Sequence, residues 1–127
     1  MRGIATSGWR GRSFSLGIAD AVTVLAATGA TADAAATVIA NAVDLPRHPA
    51  IARAPAVTLQ ADSDLGAIPV TTAVGPLAPA EVAAALASGA ARAETLRAQG
   101  LIAAAALFLQ GSVRLVGPVP LAAPEPA

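Results

Sequence analysis

Asp33, Thr37 and Asn41 recur at intervals of four inside the apolar, alanine-rich stretch that runs from Ala32 to Val43. On a helix this spacing aligns a carboxylate, a hydroxyl and an amide along one face, while Val38, Ile39, Ala42 and Val43 fill apolar positions. An unpaired carboxylate taken from water costs several kcal/mol or more, so such a stripe calls for a cation, a hydrogen-bond network or a wet cleft. A hard cation such as Mg²⁺ suits a carboxylate combined with neutral oxygens. The plainer reading stands beside it: Asp33 near a helix start favours the positive end of the dipole, with Thr31 as the cap.

A second group lies upstream, in Thr6-Ser7-Gly8-Trp9-Arg10-Gly11-Arg12-Ser13-Phe14-Ser15-Leu16-Gly17. Its small residues permit close backbone approach, and its hydroxyls and guanidinium groups are donors, so the loop could hold a phosphate or pyrophosphate. It matches neither the Walker loop nor the dinucleotide fingerprint, and an ordinary surface turn has the same composition.

Around these residues the elements read as follows. Gly3 to Thr6 ends a strand, and Ala21 to Ala26, rich in β-branched residues, forms a buried one. After Gly29 a helix covers about Thr31 to Val43, and Asp44-Leu45-Pro46 ends it. Pro46 to Gly66 reads as loops and turns because Pro46, Pro49 and Pro55 interrupt it. Ile68 to Val74 is a further strand, and Pro79 opens a second helix that Gly100 closes. That helix, with Val82, Leu86 and Leu96, reads as a cover for a sheet, its alanines allowing close contact with another subunit. Leu101 to Leu109 and Val113 to Val116 form a hairpin through Gln110-Gly111. The class is α+β, a mixed sheet with two main helices. Residues 1–117 form one domain, and 118–127 a Pro/Ala-rich tail.

The composition narrows the function classes. The 127 residues carry 8 basic and 8 acidic side chains, every basic one an arginine, for a net charge of zero. This argues against bulk nucleic-acid affinity, which needs a basic footprint. Hydrophobic residues make up 55%, but aromatics only 2%, so the core must be built from Ala, Val, Leu and Ile, with stability that can depend on a partner surface. The absence of cysteine excludes disulfides, thiolate catalysis and zinc–thiolate sites. No signal-peptide pattern opens the chain, and Leu101 to Leu109 falls far short of the roughly 20 residues that span a bilayer. A soluble, cytoplasmic protein is expected.

Several of these segments carry a resemblance. Gly3-Ile4-Ala5-Thr6-Ser7-Gly8, Gly17-Ile18-Ala19-Asp20-Ala21-Val22-Thr23-Val24 and Ala32-Asp33-Ala34-Ala35-Ala36-Thr37 with Asn41 resemble the C-terminal half of the ApbE-like superfamily, over about Gly3 to Gly111. The best-studied members are magnesium-dependent FAD:protein FMN transferases. The match is nearest to an uncharacterised branch, whose members share a stretch like Asp62-Ser63-Asp64-Leu65-Gly66. The resemblance implies a T-fold-like half-domain, Mg²⁺ at Asp33 and Thr37, and FAD beside Thr6, Ser7, Gly8, Arg12 and Ser13. It implies FMN transfer as the activity.

Two departures qualify that activity. Arg12 stands where the family places its histidine base, which leaves proton abstraction without an agent. The family's N-terminal half has no counterpart, so the chain reads as a fragment or as one half completed by another polypeptide, and alone it would expose apolar surface. The alternative function is therefore a non-catalytic binding or assembly subunit. Expected partners are a flavin nucleotide and a second copy or complementing half, with neither nucleic acid nor membrane.

The remaining candidates are weaker. Asp62-Ser63-Asp64 resembles the opening of a calcium loop but lacks the later ligands, so a turn held by Asp and Ser side chains is expected. Ser7, Ser13 and Ser15 have no histidine placed to activate them. Trp9 is expected to pack over the loop, and His48, between Arg47 and Pro49, to be an exposed bystander.

Overall fold

The structure, a computed structural model, describes residues 3–10, 15–61 and 65–118. The expected tail, 118–127, therefore lies outside the described residues beyond Pro118.

Four strands, β1 (Gly3–Ser7), β2 (Ala21–Ala26), β5 (Ala104–Leu109) and β6 (Ser112–Val116), form one sheet in the order β1-β2-β5-β6, antiparallel at every pairing. The chain between β2 and β5 supplies α1 (Gly29–Ala42), a ribbon of β3 (Ile51–Pro55) and β4 (Pro69–Val74) with the single turn α2 (Ala56–Leu59) between its strands, and α3 (Pro79–Ala98). The class is α+β, as expected from the sequence.

Both long helices lie on one face of the sheet because each carries one apolar stripe. On α1 the buried positions are Ala32, Ala35, Ala36, Ile39 and Ala40, and on α3 they are Val82, Ala85, Leu86, Gly89, Ala90, Ala93 and Leu96. These three- and four-residue steps are the helical period. They meet Val22, Val24, Leu107 and Leu109, which point inward from alternate positions of β2 and β5. Gly89 fixes the depth of the packing: a Cβ there would lie 2.2 Å from Val43 Cγ2 and 2.8 Å from Leu107 Cδ2. No helix among the described residues is long and apolar enough to cross a membrane.

Element boundaries depart from expectation where capping and proline were misread. Thr28, not Thr31, caps α1: its Oγ1 accepts from Thr31 N at 3.1 Å, so the helix starts at Gly29. Between Pro46 and Gly66, read as loops, the structure has β3 and α2. Pro55 pairs with Pro69 at the end of a two-stranded ribbon, where missing donors cost no interior ladder bond.

His48 is half-buried and engaged, which corrects the expectation of an exposed bystander. Its Nδ1 accepts from Ala50 N at 3.0 Å, which leaves Nε2–H to donate to Glu81 Oε2 at 2.6 Å. Glu81 Oε1 accepts from Ala78 N at 2.8 Å at the start of α3. One carboxylate thus closes the helix end and pins the loop that leads into β3.

Two outcomes follow from this packing. Gly89→Ala gains helix propensity but forces a methyl into Val43 and Leu107, and should lower unfolding free energy by about 1–2 kcal/mol in urea denaturation, whereas exposed Ser88→Ala should not. The Glu81 carboxyl is held below its ordinary pKa, first by the Ala78 N–H and then by His48. A depressed carboxylate stabilises the fold above its unfolded pKa and loses that contribution as pH falls through the folded value. Stability should therefore fall less steeply in Glu81→Gln than in the parent between about pH 5 and about pH 3, read from urea midpoints.

Candidate functional site

The stripe Asp33, Thr37 and Asn41 forms on α1, but the three side chains have separate fates. Asp33 is exposed in the second turn, and α1 has no acidic residue in its first turn. The dipole reading therefore loses its geometry, since that effect fades within one turn. Thr37 Oγ1 donates back to Asp33 O at 3.1 Å, the usual satisfaction of a mid-helix threonine. Asn41 faces inward and accepts through Oδ1 from Leu16 N at 2.9 Å and from Ser15 Oγ at 3.2 Å. Among the described residues no group of three His, Asp or Glu side chains is gathered closely enough to hold a metal ion.

The expected nucleotide loop is likewise engaged with the protein itself where it is described. Thr6 Oγ1 and Thr23 Oγ1 share a hydrogen bond of 2.9 Å across β1 and β2. Ser7 pairs with Val22, and Gly8 packs its Cα against the Asp20 carbonyl. Gly17 lies against the last turn of α1, where a Cβ would sit 2.1 Å from Ala40 O. The close approach that the small residues permit is made to α1. Arg12 and Ser13 lie outside the described residues, as do Asp62, Ser63 and Asp64.

Asp33 lies in the second turn of α1, toward the helix start, while the loop after β1 returns to the helix end. Gly3 abuts Thr28 and Gly29 at the start of α1, whereas Gly8 abuts Asp20 and Gly17 abuts Ala40 to Val43 at the far end. Sequence reasoning missed the polar clasp at that far end. Arg53 donates through Nη1 to Leu16 O and Thr71 Oγ1 and through Nη2 to Asp44 Oδ1, and Thr71 Oγ1 donates to Gly17 O at 2.6 Å. Alternation of Arg53 between alanines in a run that pairs as a strand was its only signal.

Nearby, Arg10 lies 5.3 Å from the centroid of the Trp9 ring and 3.7 Å from Asp20 Oδ1. The other Asp20 oxygen accepts from Gln110 N at 2.7 Å, and the Gln110 side chain reaches Gly75 O and Leu77 N. A cavity of about 390 Å³ between α1 and the end of α3 is lined by Val38, Leu96, Leu101 and alanines, with Thr31 its one polar side chain. Nucleotide pockets need several convergent polar groups, which this cavity lacks.

The broad surface left is the outer face of the four-stranded sheet. By register the residues on that side are Ile4 and Thr6 from β1, Ala21, Thr23 and Leu25 from β2, Ala104, Ala106 and Phe108 from β5, and Val113 and Leu115 from β6, of which Ala104 is buried. Both long helices are on the opposite face. Ile4 is 66% exposed and Val113 53%, values that place large apolar side chains in water. No charged residue is among the ten, and the two threonine hydroxyls satisfy each other.

Asn41→Ala should cost about 1–3 kcal/mol in urea denaturation because it strands the Leu16 amide, whereas Asp33→Asn should stay within about 0.5 kcal/mol.

No protein of curated function and no solved structure matches this chain. One family does, AbpE bacteria, and the finding corrects the expected ApbE-like flavin transferase relationship, for which there is no match. The segments that carried that resemblance are short and rich in Gly and Ala, and here Gly3, Gly8 and Gly17 serve backbone packing within the fold. With its match extending over residues 1–115, the chain belongs to the AbpE bacteria family.

Proposed function

We propose that this protein is a non-catalytic assembly subunit that binds another polypeptide surface through the outer face of its sheet. The observation that carries this reading is the exposure of Ile4, Val113 and Leu115 on a face without charge. Large apolar side chains held in water on an uncharged face are the kind of surface that interaction sites use. The hydroxyl pair Thr6–Thr23 supports it further, since two groups that satisfy each other can be dried at lower cost. Flavin transfer with Mg²⁺ and FAD, the other function expected, would draw on Asp33, Thr37 and the Thr6–Gly8 segment. Those residues are separated and largely engaged in structural bonds, so the geometry favours assembly.

The test is photo-crosslinking in the living host, with a benzophenone amino acid at Val113, at Leu115 or, as a control, at Arg92 on the exposed side of α3. Covalent adducts to polypeptide are expected from Val113 and Leu115 and not from Arg92. Adducts equally frequent at all three positions, or at none, would remove the reading.

A further inference from the structure

The cavity between α1 and the end of α3 has Ala34, Ala35 and Val38 on one wall and Leu96 and Leu101 on the other. Its one polar side chain, Thr31, accepts at Oγ1 from Thr28 Oγ1 at 3.0 Å, so no side-chain hydrogen-bonding group there waits for a partner among the described residues. A held water makes about two to four hydrogen bonds, and this lining supplies few. Val38 is nevertheless 37% exposed and Leu101 47% exposed at the rim. An uncharged aliphatic side chain suits the space.

The chain brings such a side chain to this place. β6 ends at Val116, and Gly117 turns with φ 75° against the α3 end, where a Cβ would lie 2.5 Å from Ala103 O and 2.8 Å from Arg97 Nε. Arg97 follows Leu96 in α3, and Leu101 N donates to Leu96 O at 3.0 Å, so the point where the chain leaves the sheet adjoins the cavity wall. From that point runs Pro118-Val119-Pro120-Leu121-Ala122-Ala123-Pro124, a stretch without charge whose residues beyond Pro118 lie outside the described residues. We infer that this C-terminal segment is the occupant of the cavity, folding back around the end of α3 to seat Leu121 between α1 and α3. Prolines at 118 and 120 favour polyproline II, whose rise of about 3.1 Å per residue puts Leu121 about 9 Å past Pro118. That matches the roughly 10 Å width of the helix the segment rounds. The same prolines restrict the free segment, so docking orders fewer degrees of freedom. A tether this short also gives an effective concentration of about millimolar or more, so burial of one or two apolar side chains suffices.

The sequence contains no cysteine, so introduced thiols report the placement directly. Leu121→Cys is combined in the full chain with Val38→Cys, with Leu101→Cys or with Thr95→Cys. Val38 and Leu101 line the cavity, whereas Thr95 is exposed on α3 beside Leu96, at a comparable tether length but outside the lining. In dilute protein oxidised with glutathione, the internal disulfide should form about tenfold or more faster with Val38→Cys and Leu101→Cys than with Thr95→Cys. Equal rates at the three positions, or no internal disulfide at any, would overturn the inference. Disulfide-linked dimers in place of the internal bond would give the cavity to a second copy and overturn it too. Independently, Leu121→Asp should lower the urea midpoint of the parent and Ala127→Asp should not; an unchanged midpoint for Leu121→Asp counts against the seat.

Discussion

A core built largely of alanine is cohesive only where the backbones carrying those alanines come close, and in this protein Gly89 sets that distance. It lets α3 settle onto Val43 at the end of α1 and onto Leu107 in the middle of the sheet. Burial of Ala32, Ala35, Ala36, Ala40, Ala85, Ala90 and Ala93 depends on that depth, because an alanine contributes a single methyl and reaches nothing at a distance. The consequence is a fold with one well-packed face. The helices bury the inner side of β2 and β5, and the chain offers no third layer among its described elements for the other side.

The polar residues with chemical potential are spent mainly at the far end of α1. Asn41 holds Ser15 and Leu16, Thr71 holds Gly17, and Arg53 joins that loop to Asp44 and the ribbon. Arg53 and Asp44 are each about four-fifths shielded at the side chain, so they form a partly buried pair whose loss would uncover a charge as well as break a contact. Residues that looked like ligand donors are thus the means by which a loop and a two-stranded ribbon are fastened to the helical layer.

The strand Ala21–Ala26, the two long helices and the hairpin at Gln110-Gly111 were legible because period and breaker residues agree there. Gln110 and Gly111 both have positive φ, 46° and 85°, as a tight antiparallel reversal demands. The ribbon was not legible, since its prolines argue against strand structure unless the strands are known to stand apart from the main sheet. Nor was the role of His48, whose partner Glu81 is brought to it only by the tertiary fold. For the candidate site, spacing on α1 correctly placed Asp33, Thr37 and Asn41 along one helix. Spacing alone does not say whether a polar atom meets solvent, its own backbone or a neighbouring loop, and here each meets a different one. The bare sheet face was legible only in part: the low content of large apolar residues signalled a need for a partner, while its location required the strand register.

The seam between β2 and β5 has a bearing on how the chain reaches this structure. Both outer hairpins of the sheet are local in sequence, but the bond from Gln110 N to Asp20 Oδ2 beside the central seam joins residues 90 positions apart. Closing so long a loop is entropically costly and is repaid only once the helices are also in place. Wherever that seam is not closed, the inner edges of β2 and β5 are unpaired and offer templates to strands of another chain.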